Sequence, residues 1–221
     1  MTTPITDPTD TSAQPKAESF VDWFHINSRA IGIGAVVVGL VGFGVWFVQR
    51  EKLNEMISSD KQLMQAKQSL SSQNQTLAES DLKKVVDKYG DKPAGTEAGL
   101  LLAQLKMDKG DLAGATTTLK ELAAKASGPN LAQVDALLGD VLSQQSKPAE
   151  AAAEYEKAAA ATSMTNEKNM WLSKAAASYL TALKVPEAKK IYEVLAAQTD
   201  NPAVSTEAHM RLGELTLGTK M

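Results

Sequence analysis

The sequence predicts an all-α protein: one amino-terminal helix able to cross a membrane, followed by an α-solenoid of stacked helix pairs. Three observations carry this. "AIGIGAVVVGLVGFGVWFV", residues 30–48, runs nineteen residues without a charge. No alternating strand pattern appears after Glu51, where breakers punctuate segments rich in Ala, Leu, Lys and Glu. Those segments return at a fixed spacing of 36 or 37 residues.

Composition bounds the rest. The 221 residues are 43% hydrophobic with a net charge of −3, and this balance supplies no general attraction to nucleic acid. The lysines at 83, 84 and 88 and at 189 and 190 sit at the spacings of solvated helix faces. There is no cysteine, so disulfides, thiolate nucleophiles and cysteine metal sites are excluded.

Residues 1–19, "MTTPITDPTDTSAQPKAES", lack apolar periodicity and read as a disordered tail. Residues 20–50 form the anchor with its flanks. As a helix, nineteen residues span roughly 28 Å, close to the hydrocarbon thickness of a bilayer. Trp23 and Phe24 precede the apolar run and Trp46 and Phe47 end it, while Arg29 and Arg50 mark its limits. A cleaved signal peptide is the nearest rival, but the preceding tail is long and not basic, and no small-x-small site follows Val48. "GIGAVVVG" imitates a dinucleotide fingerprint but has Val37 where the third glycine belongs. Gly32, Ala35, Gly39 and Gly42 instead form one stripe of small residues along which another membrane helix can pack. Counting basic residues near the span (Lys16 and Arg29 before it; Arg50, Lys52, Lys61 and Lys67 after it) points the large domain toward the cytoplasm. Long domains translocate largely regardless of charge, so charge leaves the side open.

Residues 51–95 read as linking helices and 96–221 as the repeat domain with a carboxyl-terminal capping helix. Leu102-Ala103, Leu138-Gly139, Ala175-Ala176 and Leu212-Gly213 are spaced by 36, 37 and 37 residues. Ala115, Ala151 and Ala188 follow at 36 and 37. Turns fall between the two series at "KGD" (109–111), "SKP" (146–148) and "KVP" (184–186). This pattern resembles the tetratricopeptide repeat, which sets Leu-Gly and an aromatic in its first helix and Ala and an aromatic in its second. Gly139 with Tyr155, and Ala176 with Tyr179 and Tyr192, fit; Leu119 and Gly99 depart from it in the first unit.

Taken together, the tail, the glycine-rich span and the degenerate repeats resemble the YfgM-like family of single-span bacterial inner-membrane proteins. "NSRAIGIGAVVVGLVGFGVW" (27–46) and "GTEAGLLLAQLKMDKGDLAGA" (95–115) carry the resemblance most closely. It implies an ancillary subunit of the Sec translocon, an amino terminus in the cytoplasm, repeats in the periplasm, and contact with a membrane-anchored prolyl-isomerase-like chaperone.

Catalysis is not expected. The two histidines, His25 and His209, sit in no ligand spacing, and no phosphate loop is present. Neither a cofactor nor a metal is called for. The expected function is that of a membrane-anchored protein-binding scaffold whose partners are the bilayer, a membrane-protein complex and its extrinsic subunits or chaperones, with no nucleic acid or small-molecule substrate. The candidate binding residues, on the faces of first helices, are Gln104, Met107, Gln133, Asp140, Gln144, Met170 and Leu180. The alternative is an accessory subunit of an energy-converting membrane complex, its span docked on other subunits.

Overall fold

The computed structural model describes residues 28–218. The 1–19 tail, Lys16, Trp23, Phe24 and His25 lie outside the described residues. Every element among those described is a helix: α1 Ser28–Ser71, α2 Gln75–Tyr89, α3 Pro93–Asp108, α4 Leu112–Ala123, α5 Gly128–Gln144, α6 Pro148–Ala161, α7 Thr165–Thr181, α8 Val185–Ala196 and α9 Pro202–Gly218. The chain divides into two units, Met1–Asn54 and Glu55–Met221.

In the first unit, α1 is apolar all round. Val36, Val37 and Val38 follow one another and point in three directions, yet each is exposed, as are Leu40, Phe43 and Phe47. A helix apolar on every side suits lipid or a protein core; this one is long and apolar enough to cross a membrane. The Arg50 guanidinium lies 5.2 Å from the centre of the Trp46 ring, closing the apolar stretch with a cation–π contact. A side chain added at Gly32, Gly39 or Gly42 would meet nothing within 4 Å. The Ala35 side chain lies outside the described residues.

The second unit is a stack of helix pairs built by a turn that recurs. Gln73, Gly110, Ser146 and Leu183 have φ values of 57°, 78°, 59° and 59°. They are spaced by 37, 36 and 37 residues, the period of the sequence repeat. All four hold the left-handed conformation, and after Gly110, Ser146 and Leu183 the next amide folds back on the helix just ended. Thus Asp111 N–H donates to the Lys106 carbonyl (2.8 Å), Lys147 N–H to that of Leu142 (2.9 Å) and Lys184 N–H to that of Tyr179 (2.8 Å). The following helix starts at once: Asp111 caps α4 by accepting from Gly114 N–H at 2.8 Å, and Pro148 and Pro186 occupy first-turn positions where no donor is needed.

Packing repeats with the turns. Ala115, Ala151 and Ala188 are fully buried where second helices cross first helices. The facing positions are equally small. A Cβ on Gly139 would sit 2.7 Å from the Tyr155 ring, and one on Gly99 would sit 2.5 Å from Leu122 Cδ2, so the missing side chains make room for Tyr155 and Leu122 where the helices cross. Gly99, which breaks the tetratricopeptide pattern in the sequence, therefore makes room for Leu122. The spacing also continues toward the amino terminus. Ala66 and Ala78 precede Ala103 and Ala115 by 37 residues and are fully buried, in one cluster with Leu63, Leu82 and Val85.

Candidate protein-binding face

Along the stack α3 packs on α4, α4 on α5, and so on to α9, and α3 also touches α5. In a solenoid of helix pairs the first helices line the inner side of the curve, the candidate face here, to which α3, α5 and α7 belong.

The centre of that face is a polar and aromatic cluster joining two repeats. Asp140 on α5 uses one carboxylate oxygen, Oδ1, to accept both the Tyr155 hydroxyl at 2.6 Å and Lys174 Nζ at 2.8 Å. Lys174 also lies 5.2 Å from the Tyr155 ring centre and 5.3 Å from that of Trp171. Burial, and then the Asp140 hydrogen bond, raise the Tyr155 hydroxyl pKa far above its ordinary value, so it remains a donor. Tyr179 donates to Glu156 at 2.7 Å and is pushed up to about 12 by burial first and that bond second. These contacts span α5, α6 and α7, so the face is held rigid before anything binds it.

The structure separates the residues singled out from sequence into three groups. Gln104, Gln133, Gln144 and Met170 are exposed, and Gln104 donates to Asp108 at 2.9 Å. Met107 and Leu180 are half-buried and packed against the core. Asp140 is half-exposed and occupied by its two donors. Lys174 and Trp171 were not among the sequence candidates, although both lie on α7 within one helical turn of Met170. Their signal was a lysine and a tryptophan three apart on one helix. Among the described residues no group of three or more His, Asp or Glu side chains could hold a metal ion. His209 is exposed on α9.

This geometry defines a helical-repeat protein whose neighbouring repeats are tied together by side-chain contacts. Residues 22–138 match the family described as a tetratricopeptide repeat-like domain, more than half of the chain, and the protein belongs to that family. The match begins ahead of the apolar helix and ends within α5. Among solved structures, tetratricopeptide-like repeats of a Podosopora anserina protein described as a kinesin light chain share 16% identity at a TM-score of 0.53. That match covers 73% of this chain and 86% of the other. A tetratricopeptide repeat protein from Parabacteroides merdae shares 12% identity at a TM-score of 0.55, over 73% of this chain and 61% of the other. No curated protein matches the sequence.

Proposed function

We propose that this protein is a non-enzymatic scaffold, anchored in a membrane by α1, that holds a protein partner on the concave face of its repeats. The observation that carries the reading is the contrast across α5 and α7. Asp140, Tyr155 and Lys174 lock the two repeats together, while Gln144 and Met170 beside them stay exposed and, among the contacts described, satisfy nothing inside the molecule. Exposed side chains on a rigid face bind with little ordering cost. On the YfgM-like resemblance, the setting is the bacterial inner membrane, the amino terminus is cytoplasmic and the repeats periplasmic. The partners are then the Sec translocon and its periplasmic chaperones. The anchor adds effective concentration toward partners in the same bilayer without adding a contact.

The test is purification in mild detergent of the full chain and two variants. Met170→Glu with Gln144→Lys changes exposed residues of the face and leaves the fold intact. Gly39→Leu with Gly42→Leu fills the small-residue stripe of α1, where side chains meet nothing within the chain. Wild type is expected to bring down translocon components, the first variant to lose the chaperone and the second to lose the membrane subunits. Recovery of an energy-converting complex in fixed proportion would replace this setting with the accessory-subunit reading. Equal recovery by all three proteins would remove the binding face altogether.

A further inference from the structure

Among the described residues, α9 occupies the place of a first helix with no second helix laid over it. Position by position, Thr206, Met210, Gly213 and Leu217 correspond to Asn169, Ser173, Ala176 and Leu180 of α7, each 37 residues earlier. In α7 all four are buried or half-buried. Gly139 of α5 and Ala103 of α3, at the register of Gly213, are also buried, Gly139 directly beneath Tyr155. In α9 the same stripe is open. Met210 is 60% and Leu217 65% exposed, Thr206 is exposed, and a Cβ on Gly213 would meet nothing within 4 Å. The other side of α9 is settled, since Ala208 is buried and Val204, Leu212 and Leu215 pack on the core. The open stripe therefore continues an interface that the earlier repeats close.

We propose that this stripe pairs with the α9 stripe of a second copy, running antiparallel. Its side chains alternate in size: small Thr206, large Met210, absent at Gly213, large Leu217. The steps of 4, 3 and 4 residues are those of a helix–helix seam. The pairs Met210 with Gly213 and Leu217 with Thr206 share one midpoint, between Arg211 and Leu212. A single two-fold axis there sets both large side chains of each copy over both small positions of the other, which is the self-complementarity an isologous dimer requires. A parallel pair would instead set Met210 on Met210 and leave a void at Gly213. Met210 is also larger than Ser173 and Ala136, its counterparts in α7 and α5, which lie beneath helices of their own chain. One helix face is small beside the roughly 800 Å² per partner of a standard interface, so the pairing is read by crosslinking.

The chain has no cysteine, so single cysteines report without background. Thr206→Cys and Leu217→Cys versions of the full chain, carrying tags of different size, are expressed together and oxidised in native membranes. The antiparallel pair brings 206 against 217 of the other copy, while like positions stand about 16 Å apart along the axis, too far for a disulfide. The expected product is a 206–217 crosslinked dimer of mixed tags, with each variant alone giving no more than a Lys190→Cys control. Adding Gly213→Trp, which meets nothing in its own chain, should abolish that product while leaving far-ultraviolet circular dichroism unchanged. Dominant 206–206 and 217–217 products, a crosslink only to another protein, or no product above the control would each overturn the proposal.

Discussion

Asp135 shows how burial sets a pH dependence. It lies on α5 at 5% exposure, and burial, followed by the nearby Glu154 carboxylate, pushes its carboxyl up to about 6, with Lys157 opposing. The folded chain thus binds a proton that the unfolded chain releases near pH 4. Stability from this group is present below pH 4, falls as pH rises to 6, and stays low above; the shift corresponds to about 3 kcal/mol. Asp81 works in the other direction. Hydrogen bonds from Lys84 and Ser69 hold it below the ordinary value, so its contribution is lost as pH falls. Asp135→Asn should therefore raise the urea midpoint at pH 8, leave it nearly unchanged at pH 4, and flatten the difference curve above pH 6. Curves for the two proteins that stay parallel would mean that Asp135 is solvated. A second residue-scale test uses Gly139, whose missing Cβ accommodates the Tyr155 ring. Gly139→Ala should cost about 1–3 kcal/mol by overpacking. The cost should shrink in a Tyr155→Leu background, which restores the Ala-and-Leu pairing that Ala103 and Leu119 present one unit earlier.

At the scale of elements, the turns explain what could be read from sequence and what could not. The small residues at 103, 139 and 176 and the alanines at 115, 151 and 188 marked the helix crossings, because only small side chains permit close approach. Turn residues marked less. Gly110 announces a left-handed position, but Ser146, Leu183 and Gln73 occupy the equivalent one with no compositional signal. The buried pair Ala66 and Ala78 continues the same period, yet the serines and glutamines around it carry none of the aromatic positions by which the later repeats are recognised. Likewise Asp140 was legible as a first-helix surface residue, whereas its engagement by Tyr155 and Lys174 depends on the distance between repeats. Leu183 offers a direct test of the turn. It is 87% exposed at φ 59°, so its side chain gains little from packing while its backbone carries the left-handed penalty, on the order of 1 kcal/mol. Leu183→Gly should raise the thermal midpoint measured by circular dichroism. A fall would show that the leucine side chain has a partner on that turn.

For the whole molecule the proposed anchoring poses the question of which side of the membrane the repeats lie on, because the side determines which proteins can reach them. The basic residues after the span, Arg50, Lys52, Lys61 and Lys67, favour the cytoplasm by simple count. The structure gives two of the four other employment: Lys67 pairs with Glu97 on α3, and Arg50 lies over Trp46. Such residues have roles in the fold as well as in orientation, and long domains cross regardless of nearby charge. The proposed function puts the repeats in the periplasm. Protease added to sealed spheroplasts should then digest the region after Glu51 without lysis and leave a fragment containing the span. The residues after Gly90 should be cut by trypsin first within the turns, at Lys109 and Lys184, which follow helix ends and are solvent-accessible, while Lys147 is spared because Pro148 follows it. Full protection until lysis would put the repeats in the cytoplasm and exclude periplasmic chaperones as partners, while leaving the repeat fold as it is.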